Sequence, residues 1–182
     1  MRLALKLHPD SLCEAVTAIE VNVARSGPGG LVLRYFVTGK IGELRLPAMT
    51  FPGRADRLWE HSCFETFVRA AGDAAYYEFN AAPSMQWAAY RFSGYRAGMS
   101  VAQEIRGIGI EAQSDATDYE LQATLEFDPS SNIPDAVWHL GLSAVIEETN
   151  GRKSYWALAH PPGKPDFHHS DCFAFELAGP SR

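Results

Sequence analysis

The chain has 182 residues, enough for one domain, and a domain of that size buries about 70% of the surface its unfolded chain exposes. With 46% hydrophobic and 21% charged residues the composition is that of a soluble globular protein. A net charge of −6 and the lack of any Lys/Arg-rich run argue against nucleic acid as a partner. No apolar run is long enough to cross a bilayer, so no membrane partner is expected.

The N-terminal MRLALKLHPD alternates polar and apolar residues and sets Lys6 inside what would be the apolar centre of a signal peptide; it reads as a strand. Cys13, Cys63 and Cys172 are odd in number and lack CxxC spacing, which gives neither a disulfide framework nor a zinc site. Together these point to a reducing, cytoplasmic setting with no metal and no cofactor. With no repeat and no shift in composition, residues 1–182 read as a single domain.

In chain order, Arg2 to His8 alternates as a strand with Leu3, Leu5 and Leu7 on one face. Val16 to Arg25 follows, with Thr17, Ile19, Val21 and Val23 on one side and Glu20 and Asn22 on the other. The turn cluster Ser26 to Gly30 joins it to Leu31 to Thr38 as an antiparallel hairpin. Ile41 to Leu46 reads as a short strand closed by Pro47, and Pro47 to Asp56 as loop. Beyond a loop at Ser93 to Gly98, Val101 to Arg106 fits either a strand or a helical turn. Gly107 to Gln113 alternates, and Tyr119 to Phe127 is the cleanest strand of all. Val137 to Glu148 places Trp138, Leu140, Leu142, Ala144 and Ile146 on one face. Asn150-Gly151 is a hairpin signal leading into Lys153 to Ala159, and Cys172 to Leu177 is the last strand. About ten to twelve short strands with turn signals between them, and no long amphipathic helix, predict an all-β antiparallel sandwich or barrel.

The residue-rich centre is Leu58 to Phe92. Cys63, Glu65, Phe67 and Arg69 share one face of its first strand, and Tyr76, Glu78 and Asn80 share one face of the next. Across the short linker Ala82 to Met85, Tyr77/Phe79 with Tyr90/Phe92 are expected to form a core face. Glu78, Asn80, Trp87 and Arg91 then share the opposite face. That face is either a sugar-binding surface or a plain wet one with a Glu78–Arg91 cross-strand pair. Trp59, Glu60 and His61 lie where loop enters strand, a better place for a site. The loop HPPGKPDFHHSDC, from His160 to Cys172, is held extended by its prolines and presents Lys164, Asp166 and His168 as a rim or as a solvated connection. No GxSxG, P-loop, GxGxxG or HExxH pattern occurs, so no catalytic residue is assigned.

Three segments, LWEHSCFETFV, YYEFNAAPSMQWAAYRF and WHLGLSAVIEETNGRKSYWALAHPPGKPDFHHSDCF, resemble the DOMON-like proteins, in particular the bacterial group related to carbohydrate-binding module family nine. The resemblance runs over most of the chain. It implies an immunoglobulin-like or jelly-roll β-sandwich that binds a ligand without catalysing a reaction. In the sugar-binding relatives two aromatic rings clamp the ligand, a role that falls by motif position to Trp59, with Trp156 as the second candidate. Glu60, His61, Glu78 and Asn80 would bond hydroxyls, and Lys164, Asp166 and His168 would close the rim. Sugar-binding modules are usually secreted and attached to a glycosidase, which this sequence does not match. A soluble intracellular sugar, a nucleotide sugar or a cell-wall precursor is therefore the expected ligand.

Three other functions stay open on sequence. One is a haem- or metal-linked redox module, with His61, Met85 and Met99 as candidate ligands. Another is an acid/base enzyme using Glu65, Glu78 and His61. The last is a protein-interaction module. Oligomeric state is not legible in the residues.

Overall fold

The structure is a computed structural model that describes residues 2–26, 30–128 and 137–179. Among these residues the chain is all-β, as the alternation predicts, with three single 3-10 turns as its only helical elements. The strands are β1 (Arg2–Leu7), β2 (Val16–Arg25), β3 (Leu31–Gly39), β4 (Gly53–Arg54), β5 (Cys63–Ala70), β6 (Tyr76–Ala81) and β7 (Gln86–Phe92). They continue with β8 (Ser100–Val101), β9 (Ile105–Ser114), β10 (Asp118–Phe127), β11 (Trp138–Glu147), β12 (Lys153–Ala157) and β13 (Phe175–Leu177). Of the expected turn at 26–30, residues 27–29 lie outside the described residues.

All thirteen described strands belong to one continuous sheet ordered β4-β7-β6-β5-β11-β12-β1-β2-β3-β10-β9, with β13 beside β11 and β8 beside β7. β1 is the corner. Its first residues pair with β2, from Arg2↔Asn22 to Leu5↔Ile19, while Lys6 and Leu7 pair with β12. The sheet curls there into a nearly closed, barrel-like form. Its two limbs enclose a core that draws Leu33, Tyr35, Leu121 and Leu125 from one side and Phe64, Phe79, Trp138 and Leu142 from the other. Each such side chain, fully buried, stabilises the fold by about 1.5–3 kcal/mol. Several contacts join the limbs directly, the Tyr35 and Phe64 rings 4.9 Å apart among them. The Phe64 and Tyr119 rings stack at 6.0 Å. The buried Tyr35 hydroxyl donates to the Glu65 carbonyl at 2.9 Å and, having no second proton, accepts from the Thr66 hydroxyl at 3.0 Å.

Some local expectations need correction. Thr17 is exposed, not inward, because a β-bulge between Val16 and Ala18 shifts the register and lets Val16 and Ile19 both face the core. Ile41 to Leu46 is not a strand but a 3-10 turn, Ile41–Glu43, followed by one bridge between Leu44 and Glu148. Ile41 and Leu44 are buried three residues apart, the 3-10 period. The last strand begins at Phe175, since Ser170–Cys172 is a 3-10 turn. Val101 to Arg106 resolves into the end of β8 and the start of β9.

The limb containing β5, β6, β7 and β11 is buried on both faces. Its inner face meets the main core. Its outer face carries a second cluster of Phe67, Tyr76, Tyr90, Phe92 and Val145, covered by Phe167 and Phe173. These last two come from a strap, residues 158–174, which contains the expected Pro-rich loop. Gly141 admits the strap: a Cβ there would lie 3.2 Å from the Cys172 carbonyl oxygen and 3.3 Å from the Phe67 Cβ.

Two outcomes follow. Tyr35→Phe should lower unfolding free energy by about 1–2 kcal/mol with the denaturant slope unchanged, because it leaves buried backbone and hydroxyl groups short of a partner; an unaltered midpoint would remove that bond as a tie between the limbs. Gly141→Ala should raise amide exchange across residues 166–173 while strands β2, β3 and β10 keep their protection.

Candidate functional site

The site lies on the outer face of the doubly buried limb, under the strap, and strand register determines what reaches it. β6 and β7 pair as Asn80↔Ala88, Glu78↔Tyr90 and Tyr76↔Phe92. Tyr76, Glu78, Asn80, Tyr90 and Phe92 therefore share the outer face, whereas Tyr77, Phe79, Trp87 and Arg91 share the inner one. This reverses the expected grouping of β7. Its cause is the hairpin loop, a tight turn at Pro83-Ser84 closed by Met85 N–H donating to the Ala82 carbonyl, with Met85 left-handed at φ 69°. A three-residue loop shifts the pairing by one position against the expected parity, and one position flips every side chain. The Glu78–Arg91 pair accordingly does not form; Arg91 stands opposite Tyr77 and ion-pairs with Glu104 at 3.6 Å.

β5 brings Glu65 opposite Asn80 on one side and opposite Ser143 of β11 on the other, as the shared faces of Glu65/Phe67 and Glu78/Asn80 predict. One row across three strands thus reads Asn80, Glu65, Ser143. Above it opens a cavity of about 440 Å³ lined by Glu65, Glu78, Arg96 and His168 among the polar residues. Its apolar wall is Trp59, Tyr90, Phe92, Tyr155 and Phe167.

Glu65 is 4% exposed and Glu78 5%. Burial pushes both carboxyls above the usual carboxylate range; for Glu65 the neighbouring charge of Glu78 adds to this, and for both Arg96 opposes it. The Asn80 amide donates to Glu78 Oε1 at 2.8 Å. Glu65 Oε1, Asn80 Oδ1 and Ser143 Oγ are buried with no hydrogen-bond partner in the protein. Such groups each cost about 1–3 kcal/mol unless water or a ligand completes them, and of the three residues Glu65 lines the cavity.

The strap is fastened over this row through His168. Tyr76 OH accepts from the Arg96 backbone N–H at 3.2 Å and hydrogen-bonds His168 Nδ1 at 2.7 Å. The other ring nitrogen, Nε2, lies 3.7 Å from Glu78 Oε2. Burial, then the charge of Arg96, pushes the imidazole down to about 4. Asp166 accepts from Tyr95 OH, from Arg96 Nη2 at 2.8 Å and from the His168 backbone N–H at 3.2 Å. Burial alone would raise this carboxyl, but the bonds from Tyr95 and Arg96 outweigh it and hold it low. At the mouth Tyr90 OH donates to Asp56 at 2.6 Å, and its ring meets Trp59 edge-on at 6.0 Å.

The sequence-derived candidates divide. Trp59, Glu78 and His168 line the cavity, Asn80 lies in its floor row, and Asp166 clasps the strap. Lys164 lines a separate shallow depression with Pro161, Pro162 and His169. Glu60 is paired with Arg57 at 2.6 Å, and His61 with Glu147 at 2.6 Å; neither lines the cavity. Trp156 is 5% exposed in the main core, opposite Ala144, with its indole N–H donating to Ser154. The aromatic ring that β12 turns outward is its neighbour Tyr155, opposite Val145. Of the haem-ligand candidates, Met99 lines the cavity while His61 and Met85 do not, so these three do not assemble. Of the acid/base candidates, Glu65 and Glu78 meet without His61. Sequence reasoning missed Arg96, Tyr155 and Phe167, and it assigned Tyr90 and Phe92 to the core. Strict alternation of β12 counted back from Trp156 was the available signal for Tyr155.

An all-β chain with a strap-covered cavity on an outer sheet face is the class these features define. No protein-family model and no curated protein sequence matches the chain. Among solved structures it is similar to a provisionally assigned carbohydrate-binding protein from Bacteroides uniformis, with 16% identity and TM-score 0.65 over 94% of this chain and 83% of that one. It also aligns with a carbohydrate-binding module of family nine from Caldicellulosiruptor kristjanssonii in complex with glucose, with 11% identity and TM-score 0.48 over 87% of this chain and 76% of that one. At such identity the Bacteroides likeness is one of fold.

The neutral His168 has a measurable consequence. Its ring binds a proton only near pH 4 in the folded chain and near 6.5 when unfolded, so between these values the unfolded state holds more protons. The stability His168 contributes is complete above about pH 6.5 and is lost as pH falls toward about 4. Stability–pH curves of the wild type and His168→Gln should converge over that window, and parallel curves would refute the assignment.

Proposed function

We propose that the chain binds a small, polyhydroxylated, carbohydrate-like ligand in the outer-face cavity, without catalysis. The observation that carries the reading is the cavity that sets the buried Glu65 and Glu78 carboxyls among aromatic walls, with unpartnered polar atoms on Asn80 and Ser143 beside Glu65 in the strand row. Sugars present this combination in reverse: hydroxyls around the edge of the ring and an apolar face of C–H bonds. A cavity of about 440 Å³ suits one or two sugar rings rather than a polymer groove. In this reading Trp59 at the mouth and Tyr155 in the wall take the aromatic contacts, Trp156 having its place in the core. Glu65, Glu78 and Asn80 take hydroxyls, and His168 offers a ring nitrogen.

The assignment of the Bacteroides protein agrees with this class of ligand. We place the chain, on the same proposal, with the DOMON-like proteins as a single-domain β-sandwich variant. A soluble monosaccharide, a nucleotide sugar or a cell-wall precursor is the ligand proposed.

Calorimetric titration against monosaccharides, amino sugars, disaccharides and nucleotide sugars tests the reading. At least one should bind, and Trp59→Ala should weaken it about tenfold, the scale of one lost ring contact. Trp156→Ala should instead lower stability by about 3–5 kcal/mol, as loss of a large core side chain does. Absence of binding across the panel would refute the sugar reading.

A further inference from the structure

The sugar reading leaves open what distinguishes one sugar from another, and the charges around Glu65 and Glu78 bear on that. Among the described residues Arg96 is the only Lys or Arg that lines the cavity, and its guanidinium is committed to Asp166 through Nε at 3.3 Å and Nη2 at 2.8 Å. His168 is neutral at pH 7, since burial and the charge of Arg96 push its ring down to about 4. The remaining described groups that face the pair bring no cation. Tyr90 OH is spent on Asp56, and the Cys63 thiol, on the same face of β5, donates to the Ala81 carbonyl. The two buried carboxyls therefore feel only one cation, and that cation is already paired with Asp166.

The hydrogen-bond inventory leans the same way. Glu65 Oε1, in the cavity lining, is an unfilled acceptor, and beside Glu65 in the same strand row Asn80 Oδ1 and Ser143 Oγ are unpartnered too. Donors fixed toward the space are few, since the Arg96 guanidinium is held by Asp166. Around these acceptors stand Trp59, Tyr90, Phe92, Tyr155 and Phe167, whose ring faces attract positive charge. An ammonium group supplies three donors, no acceptor and the missing charge.

Resting on the sugar reading, we infer that the ligand is an amino sugar, its protonated amine seated at the Glu65 and Glu78 carboxyls and its hydroxylated ring against the aromatic wall. Burial raises both carboxyls, so an incoming cation favours loss of a proton from the pair.

Calorimetry at pH 7 should compare D-glucosamine, D-galactosamine and D-mannosamine, each with its parent hexose and its uncharged N-acetyl derivative. At least one amine should bind ten times more tightly than both of its controls. Its binding heat should change between buffers of different ionisation enthalpy, reporting the released proton. Glu65→Gln, which keeps the shape and removes the charge, should bring the preference close to one; if that variant fails to fold, Glu78→Gln reads the same ratio. Hexoses or N-acetyl sugars binding as tightly as the amines would overturn this inference and leave the sugar reading standing. A preference that persists in a folded glutamine variant would also overturn it. If no sugar binds at all, both fail.

Discussion

A sheet limb buried on both faces has no side to give to water, and that constraint governs this molecule. β5, β6, β7 and β11 present one face to the main core and the other to the strap, so every polar side chain on them needs a partner within the protein or from a ligand. On the inner face the polar groups find partners within the protein, Thr66 with Tyr35 and both Tyr77 and Arg91 with Glu104. On the outer face Glu65, Glu78, Asn80 and Ser143 sit among aromatic rings, and only some of their atoms are bonded. The double burial follows from the corner at β1: once the limbs have closed on each other, the strap must return over the far side to place β13 beside β11.

The strap depends on the sheet as much as it covers it. Its Phe167 and Phe173 rest on the outer cluster, and the chain can approach there because Gly141 has no side chain to hold it off. Apolar contact alone would not set its position along the strands. The chain of bonds from Arg96 N–H through Tyr76 to His168, with Asp166 gripping Arg96 from the strap, supplies that direction. Such a network is sensitive to every member, since linked hydrogen bonds polarise and strengthen one another.

Much of the fold was legible in the residues. Ten-residue strands such as β2 and β10 show in their alternation, and the inward set of β11, from Trp138 to Ile146, could be read directly, because an apolar stripe of period two is what a strand lays against a core. The errors fell where parity depends on something alternation does not carry. Met85 adopts a left-handed conformation without being glycine, so the β6–β7 loop gave no sign of its three-residue form, and Tyr90 and Phe92 moved from the expected core to the cavity wall. β12 has aromatic rings at two successive positions, and composition cannot say which faces inward; its partner Ala144 decides for Trp156. Glu78, Asn80 and His168 were recognisable by type, but Arg96 belongs to a loop whose place is set by a bond to Asp166, seventy residues away.

The strap also explains why carboxyls on a sheet could discriminate between ligands at all. On an open face Glu65 and Glu78 would be hydrated carboxylates, and a cation passing over them would gain little, because water screens the pair and each charge keeps its shell. Under Phe167 and His168 that shell is gone before any ligand arrives. The cost of desolvation then belongs to folding, and the large core between the limbs absorbs it. What remains for a ligand is the favourable part of the exchange: acceptors without donors, in a space where an unscreened contact counts for more. Selectivity in this site would therefore be lost by loosening the strap as surely as by removing Glu65, though the strap contributes no charge to the pair.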